Sequence, residues 1–79
     1  MKGFRLENGL KNIIGKNVRR LRKEAKLSQH KLAVKLQLLG YEFDRHTILR
    51  VERGIRFVAD YEVEAFAKVF EIQMSELYN

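Results

Sequence analysis

The sequence predicts an all-α fold, a single compact domain of about five helices. Apolar residues recur at three- and four-residue spacing in successive stretches of the chain. Helix-start residues (Ser28, Asp44) and helix-stop glycines (Gly40, Gly54) bracket two of those stretches. The length of 79 residues with 46% hydrophobic content suits one small core and no second domain.

Residues 1–11 have two glycines and no clean periodicity, and read as an N-terminal arm ahead of a domain over 12–79. Lys2 and Arg5 suit an arm that follows a nucleic-acid backbone, Phe4 and Leu6 suit packing on a partner subunit, and a plain disordered terminus accounts for both pairs. From about Asn12 the pattern turns helical: Ile14, Val18, Leu21 and Ala25 share a face, and Leu27 follows the end. Lys16, Arg19, Arg20 and Lys23 fall on the other sides, mostly as solvated charges; Arg22 sits on the border of the apolar stripe.

Ser28 is placed to cap a second helix, in which Leu32, Ala33, Leu36 and Leu39 form the inward stripe before Gly40. Tyr41-Glu42-Phe43 is a link. Asp44 then caps a third helix over residues 45–53 that Gly54 closes. Ile48 and Val51 face the core with Thr47 and Glu52 beside them, so Arg45, His46, Leu49, Arg50 and Arg53 lie outward with no carboxylate among them. An ordinary charged surface is the competing reading of that face. A fourth helix starts at Ala59 or Asp60 and buries Val63, Phe66, Ala67 and Phe70; a short last helix over 73–78 closes the core through Ile72, Met74 and Leu77. Surplus aromatics (Phe57, Tyr61, Tyr78) are candidates for a dimer contact.

The net charge of +6 is unevenly divided. Residues 1–39 hold eleven Lys/Arg against two Glu, residues 40–59 four against three, and residues 60–79 one against five, giving +9, +1 and −4. Such a chain is electrically two-sided and attracts a polyanion to its first three helices. Duplex DNA is the obvious polyanion; a membrane surface ranks below it, because the apolar face of the basic first helix is needed inside. Cysteine is absent, no apolar run reaches membrane-spanning length, and the first residues lack the apolar core of a secretory signal, so a cytoplasmic protein without disulfides or thiolate metal sites is expected. No cofactor, metal or catalysis is expected either, since His30 and His46 stand without a nucleophile, a metal cluster or a phosphate loop.

The run LRKEAKLSQHKLA, then T-I-x-R-V-E-R-G, then an apolar helix ending AKVFEIQMSEL resembles the lambda-repressor-like helix-turn-helix family of Cro and XRE type, over about Ile14 to Leu77. The resemblance implies a salt bridge between Arg22 and Glu52 that ties the first helix to the third. It implies a phosphate contact at Gln29, helped by the amides of a helix N-terminus, and base reading by Arg45, His46, Leu49 and Arg50. An arginine offers a bidentate fork to guanine, imidazole meets a base edge, and leucine covers a thymine methyl; His46 also reads as a locally bonded residue of a helix start. Arg53, Arg56 and Lys23 are expected on phosphates. The chain departs from the family in the link between its two motif helices, longer by about five residues. The function implied is a sequence-specific double-stranded DNA-binding transcriptional regulator, a repressor, working as a dimer. The alternative is an antitoxin or adaptor that uses the fold to bind a partner protein.

Overall fold

The computed structural model describes residues 9–79. Lys2, Phe4, Arg5 and Leu6 of the expected arm lie outside them. The described chain holds four α-helices, α1 (Gly15–Glu24), α2 (Gln29–Leu38), α3 (Arg45–Glu52) and α4 (Asp60–Phe70), followed by one 3-10 turn (Met74–Leu77). The fifth helix expected from sequence is therefore a single tight turn. The segment is four residues long, too short to repeat an i to i−4 ladder, and only Leu77 of it is buried. Met74, expected in the core, is instead 38% exposed.

Each helix starts where a side-chain acceptor meets free amides. Ser28 Oγ accepts from the Lys31 amide at 3.0 Å, and Asp44 Oδ1 accepts from the Thr47 amide at 2.8 Å. Glu62 reaches back to the Ala59 amide at 3.0 Å, which serves α4 although Ala59 has no acceptor of its own. At α1 the acceptor comes from further upstream: Asn12 Oδ1 takes the Gly15 amide at 2.8 Å.

All four helices end alike. The amides of Leu27, Tyr41, Ile55 and Ile72 each bond the carbonyl five residues back, at 3.0 Å, and the residue before each has a positive φ. At Gly40 and Gly54 this is glycine, as the sequence signals; at Lys26 (φ 58°) and Glu71 (φ 56°) it is a residue with a Cβ. In every case an apolar side chain follows the turn.

The core is built round Phe66, fully buried with Ile14, Val18, Leu32, Leu36, Ile48, Val51 and Leu77. Two residues of the expected stripes lie outside it. Ala25 is exposed because α1 has already ended at Glu24, and Leu39 is 47% exposed because it caps α2 as the chain turns toward Gly40. Ala65, not expected inside, is fully buried against it. Among the described residues no helix is long and apolar enough to cross a membrane.

The first turn of α1 meets the last turn of α3 through Gly15. A Cβ there would fall on the Val51 carbonyl oxygen and come within 3.0 Å of the Glu52 carbonyl oxygen. At an exposed helical position Gly→Ala gains about 1 kcal/mol. Gly15→Ala is expected to reverse that sign and destabilise by about 1–3 kcal/mol, as overpacking does, measured as a lower urea midpoint.

Candidate nucleic-acid interface

α3 is a helix of eight residues, RHTILRVE, with two buried side chains, Ile48 and Val51. So short a helix has little stability of its own, and its orientation comes from what holds its ends. At the start, Asp44 accepts from the Thr47 amide and from Thr47 Oγ1 at 2.9 Å. The Thr47 amide is the main reason that the Asp44 carboxyl titrates below its ordinary range. At the other end, Asn12 Nδ2 donates to the Val51 carbonyl at 3.1 Å and to the Arg56 carbonyl at 2.9 Å, and the Lys11 amide donates to the Gly54 carbonyl at 2.7 Å. Lys11, assigned by sequence to the arm, is thus bonded to the turn after α3.

Arg45, His46, Arg50 and Arg53 are exposed, and Leu49 is half-buried between them. Among the described residues none of the three arginines has a carboxylate partner. Apart from Leu49, the face therefore consists of donor-bearing side chains on a fixed backbone.

Behind it, Arg22 and Glu52 form a two-pronged pair: Nε to Oε2 at 2.6 Å and Nη2 to Oε1 at 3.1 Å, with side chains 11% and 3% exposed. Arg22 Nη1 also donates to the Leu27 carbonyl at 2.9 Å, so one guanidinium joins α1, the turn before α2, and α3. Gln29 Nε2 donates to Glu52 Oε1 at 3.2 Å. That amide is half-buried and spends one of its two N–H groups inside the protein, leaving the other for a ligand. Lys23 stands exposed on α1.

Arg56 differs from the arginines of α3 in having partners inside the protein. The resemblance puts it on a phosphate, but its Nη1 and Nη2 bond the two oxygens of Glu62 at 3.0 Å each, Nη1 also donates to the Phe57 carbonyl, and the guanidinium lies 5.1 Å from the Phe43 ring centroid. A carboxylate six residues away and an aromatic ring beneath hold it against the protein. It also pins the link between α2 and α3. Phe43 is buried edge-on to Phe66 at 5.5 Å, its carbonyl accepts from Gln37 Nε2 at 2.6 Å, and Tyr41 stacks on Tyr61 with centroids 6.5 Å apart. The link between α2 and α3 is thus bonded at both ends.

Three residues that matter here were missed in the sequence: Asn12, Gly15 and Gln37. Asn12 is 8% exposed with both its side-chain polar atoms bonded. Its only sequence signal is an asparagine three residues before a helix's first amide. Among the described residues no group of three His, Cys, Asp or Glu side chains could hold a metal ion.

Arg22→Met, which leaves the Glu52 carboxylate buried and unpaired, is expected to cost about 3–5 kcal/mol, and the double variant Arg22→Met/Glu52→Met to recover most of that loss. Both values come from urea unfolding. Burial raises the pKa of Glu62, but hydrogen bonds from Arg56 and the Ala59 amide, with the arginine's charge, outweigh it and hold the carboxyl below its ordinary value of 4.5. A carboxyl with a lowered folded pKa stabilises fully above its ordinary value and loses that contribution as pH falls through the lowered one. Glu62→Gln is therefore expected to flatten the acid limb of stability as pH falls below the ordinary value of 4.5, followed by thermal melts.

No protein-family model matches the chain, and no curated protein matches it. Among solved structures it is similar to the crystal structure of the restriction-modification controller protein C.AhdI from Aeromonas hydrophila, at 33% identity and a TM-score of 0.71, over 81% of this chain and 86% of that one. With that identity over most of both chains, the chain belongs to the helix-turn-helix family of that controller protein.

Proposed function

We propose that this protein is a sequence-specific, double-stranded DNA-binding regulator of transcription that lays α3 in the major groove. One observation carries the reading: α3 is fixed at both ends and along its back, yet its outward arginines, Arg45, Arg50 and Arg53, have no internal partner among the described residues. Cations held in place without a counterion fit a polyanionic ligand. The four proposed base readers, Arg45, His46, Leu49 and Arg50, span about 8 Å of helix, which suits two or three base pairs. Arg45 and Arg50 supply forks for guanine O6 and N7, and Leu49 a surface for a thymine methyl. Gln29, Lys23 and Arg53 hold phosphates and fix register.

The likeness to a restriction-modification controller supports a regulatory role. We read the protein as a dimer on two half-sites about 34–36 Å apart, with exposed Phe57, Tyr61 and Tyr78 as the surplus apolar surface that subunit contact requires. Its place of work is the cytoplasm, where a DNA operator is accessible, and its effect is repression by occupying that operator. No catalytic step is assigned to any residue.

The test is selection of bound duplexes from a random pool at near-physiological salt. Enrichment of an inverted repeat with that spacing is expected; weak, equal binding to all duplexes overturns the reading in favour of a protein-interaction module. On the selected site Arg45→Ala or Arg50→Ala is expected to cost about 1–3 kcal/mol and relax sequence choice, while Lys23→Ala weakens all sequences alike.

A further inference from the structure

Beyond the α3 face, the cations of α1 are arranged in a way that solvation alone does not require. Lys16, Arg19 and Lys23 recur at helical spacing along α1, all exposed and, among the described residues, none in an ion pair. Arg20, by contrast, is paired with Glu24 at 3.1 Å and also reaches Asn17. The three unpaired cations border a hollow of about 430 Å³ whose two acidic lining residues, Glu52 and Glu24, are already paired with Arg22 and Arg20. Lys16 also borders the adjoining hollow of about 230 Å³, together with Arg53 and Gly54 at the end of α3. The cations are therefore continuous with α3: Arg53, then Lys16, Arg19 and Lys23.

We propose that this strip is a second phosphate-binding surface, which holds the backbone of duplex DNA beyond the bases that α3 reads. The proposal rests on the DNA-binding reading above and adds Lys16 and Arg19 to the contact. Two turns of helix from Lys16 to Lys23 cover about 10 Å, and the phosphates of one strand rise about 3.4 Å each, so the strip faces about three of them. A lipid surface fits poorly, because within α1 Val18 is buried in the core and Leu21 packs against it, leaving Ile13 ahead of the helix as the one exposed large apolar side chain beside the strip. The strip begins at the cap residue of α3, so a duplex lying along α3 meets it without any change in the protein.

Counterion release makes the contact countable, since each phosphate neutralised adds about 0.9 to the slope of log K against log salt. The experiment measures that slope by fluorescence anisotropy for the full chain, on the selected duplex with its flanks and on a random duplex. Lys16→Ala/Arg19→Ala is compared with Lys35→Ala/Lys68→Ala, which removes the same charge from another surface. The expected result for the strip variant is a slope lower by about 2, binding on the order of tenfold weaker at physiological salt, and an unchanged ratio of specific to random affinity. The control variant keeps the wild-type slope. A wild-type slope in the strip variant, or an equal fall in the control, overturns the proposal. A fall confined to the strip variant upholds it even where duplex selection enriches no sequence, which would overturn only the base-reading assignment. A wild-type chain that binds no duplex at any salt overturns both.

Discussion

The presentation of α3 depends on how closely α1 is allowed to approach it. Packed helix axes ordinarily lie 8–10 Å apart, set by the side chains between them. At Gly15 there is no side chain, and the backbone of α1 meets the last carbonyls of α3 directly. That approach places α3's last carbonyls in a dry contact, where they need partners. The Gly54 amide and Asn12 Nδ2 both donate to the Val51 carbonyl. Because Asn12 Oδ1 accepts the Gly15 amide, a single buried side chain serves the start of α1, the end of α3 and the loop beyond. Arg22 then makes the same junction from the far end of α1, through Glu52. A glycine and two polar side chains therefore fix α3 against rotation and sliding.

These devices add position more than stability. A buried ion pair gains little over apolar residues of the same size, although losing one partner is costly. The non-glycine left-handed residues Lys26 and Glu71 each carry a penalty of about 1–2 kcal/mol. Both stand where a helix must stop so that an apolar side chain, Leu27 or Ile72, turns back to the core. The fold accepts strain at helix ends for the sake of register, and the apolar cluster round Phe66 offsets it.

What was legible in the sequence follows from whether the cause is local. Ser28, Asp44, Gly40 and Gly54 announce helix ends because capping and left-handed turns are decided within a few residues. The inward faces of α2 and α3 follow from periodicity, apart from residues such as Leu39 that fall past the last turn. The stops at Lys26 and Glu71 were not legible, since nothing in lysine or glutamate requires a positive φ. Nor was Asn12, whose partners at Val51 and Arg56 lie about forty positions away. The last segment was misjudged in kind: its spacing suits a helix, but four residues without a buried face cannot sustain one. Within the interface, the membership of α3's outward face was legible from its period. The orientation of Arg56 was not, because it is decided by the ring of Phe43 and by Glu62, which only the folded link and the start of α4 bring together.

The arginines round α3 show what separates an available side chain from a scaffold one when the two are chemically the same. Arg22 and Arg56 each meet a carboxylate in bidentate geometry and are at least partly shielded from water; Arg45, Arg50 and Arg53 meet none. The two carboxylates concerned are not spread evenly over the surface. Glu52 stands on the side of α3 turned to α1, and Glu62 in the first turn of α4, so each locks the arginine that must not move and leaves α3's outward side without counterions. Three like charges on that side repel one another in the free protein, and a polyanion would remove the repulsion while adding its own attraction. That difference between free and bound states is greatest for groups that have no internal partner to give up. A guanidinium already paired inside the protein would have to break that pair first, and so gains little from the same ligand. The placement of two glutamates therefore decides which arginines are available to a partner, and sequence position alone does not.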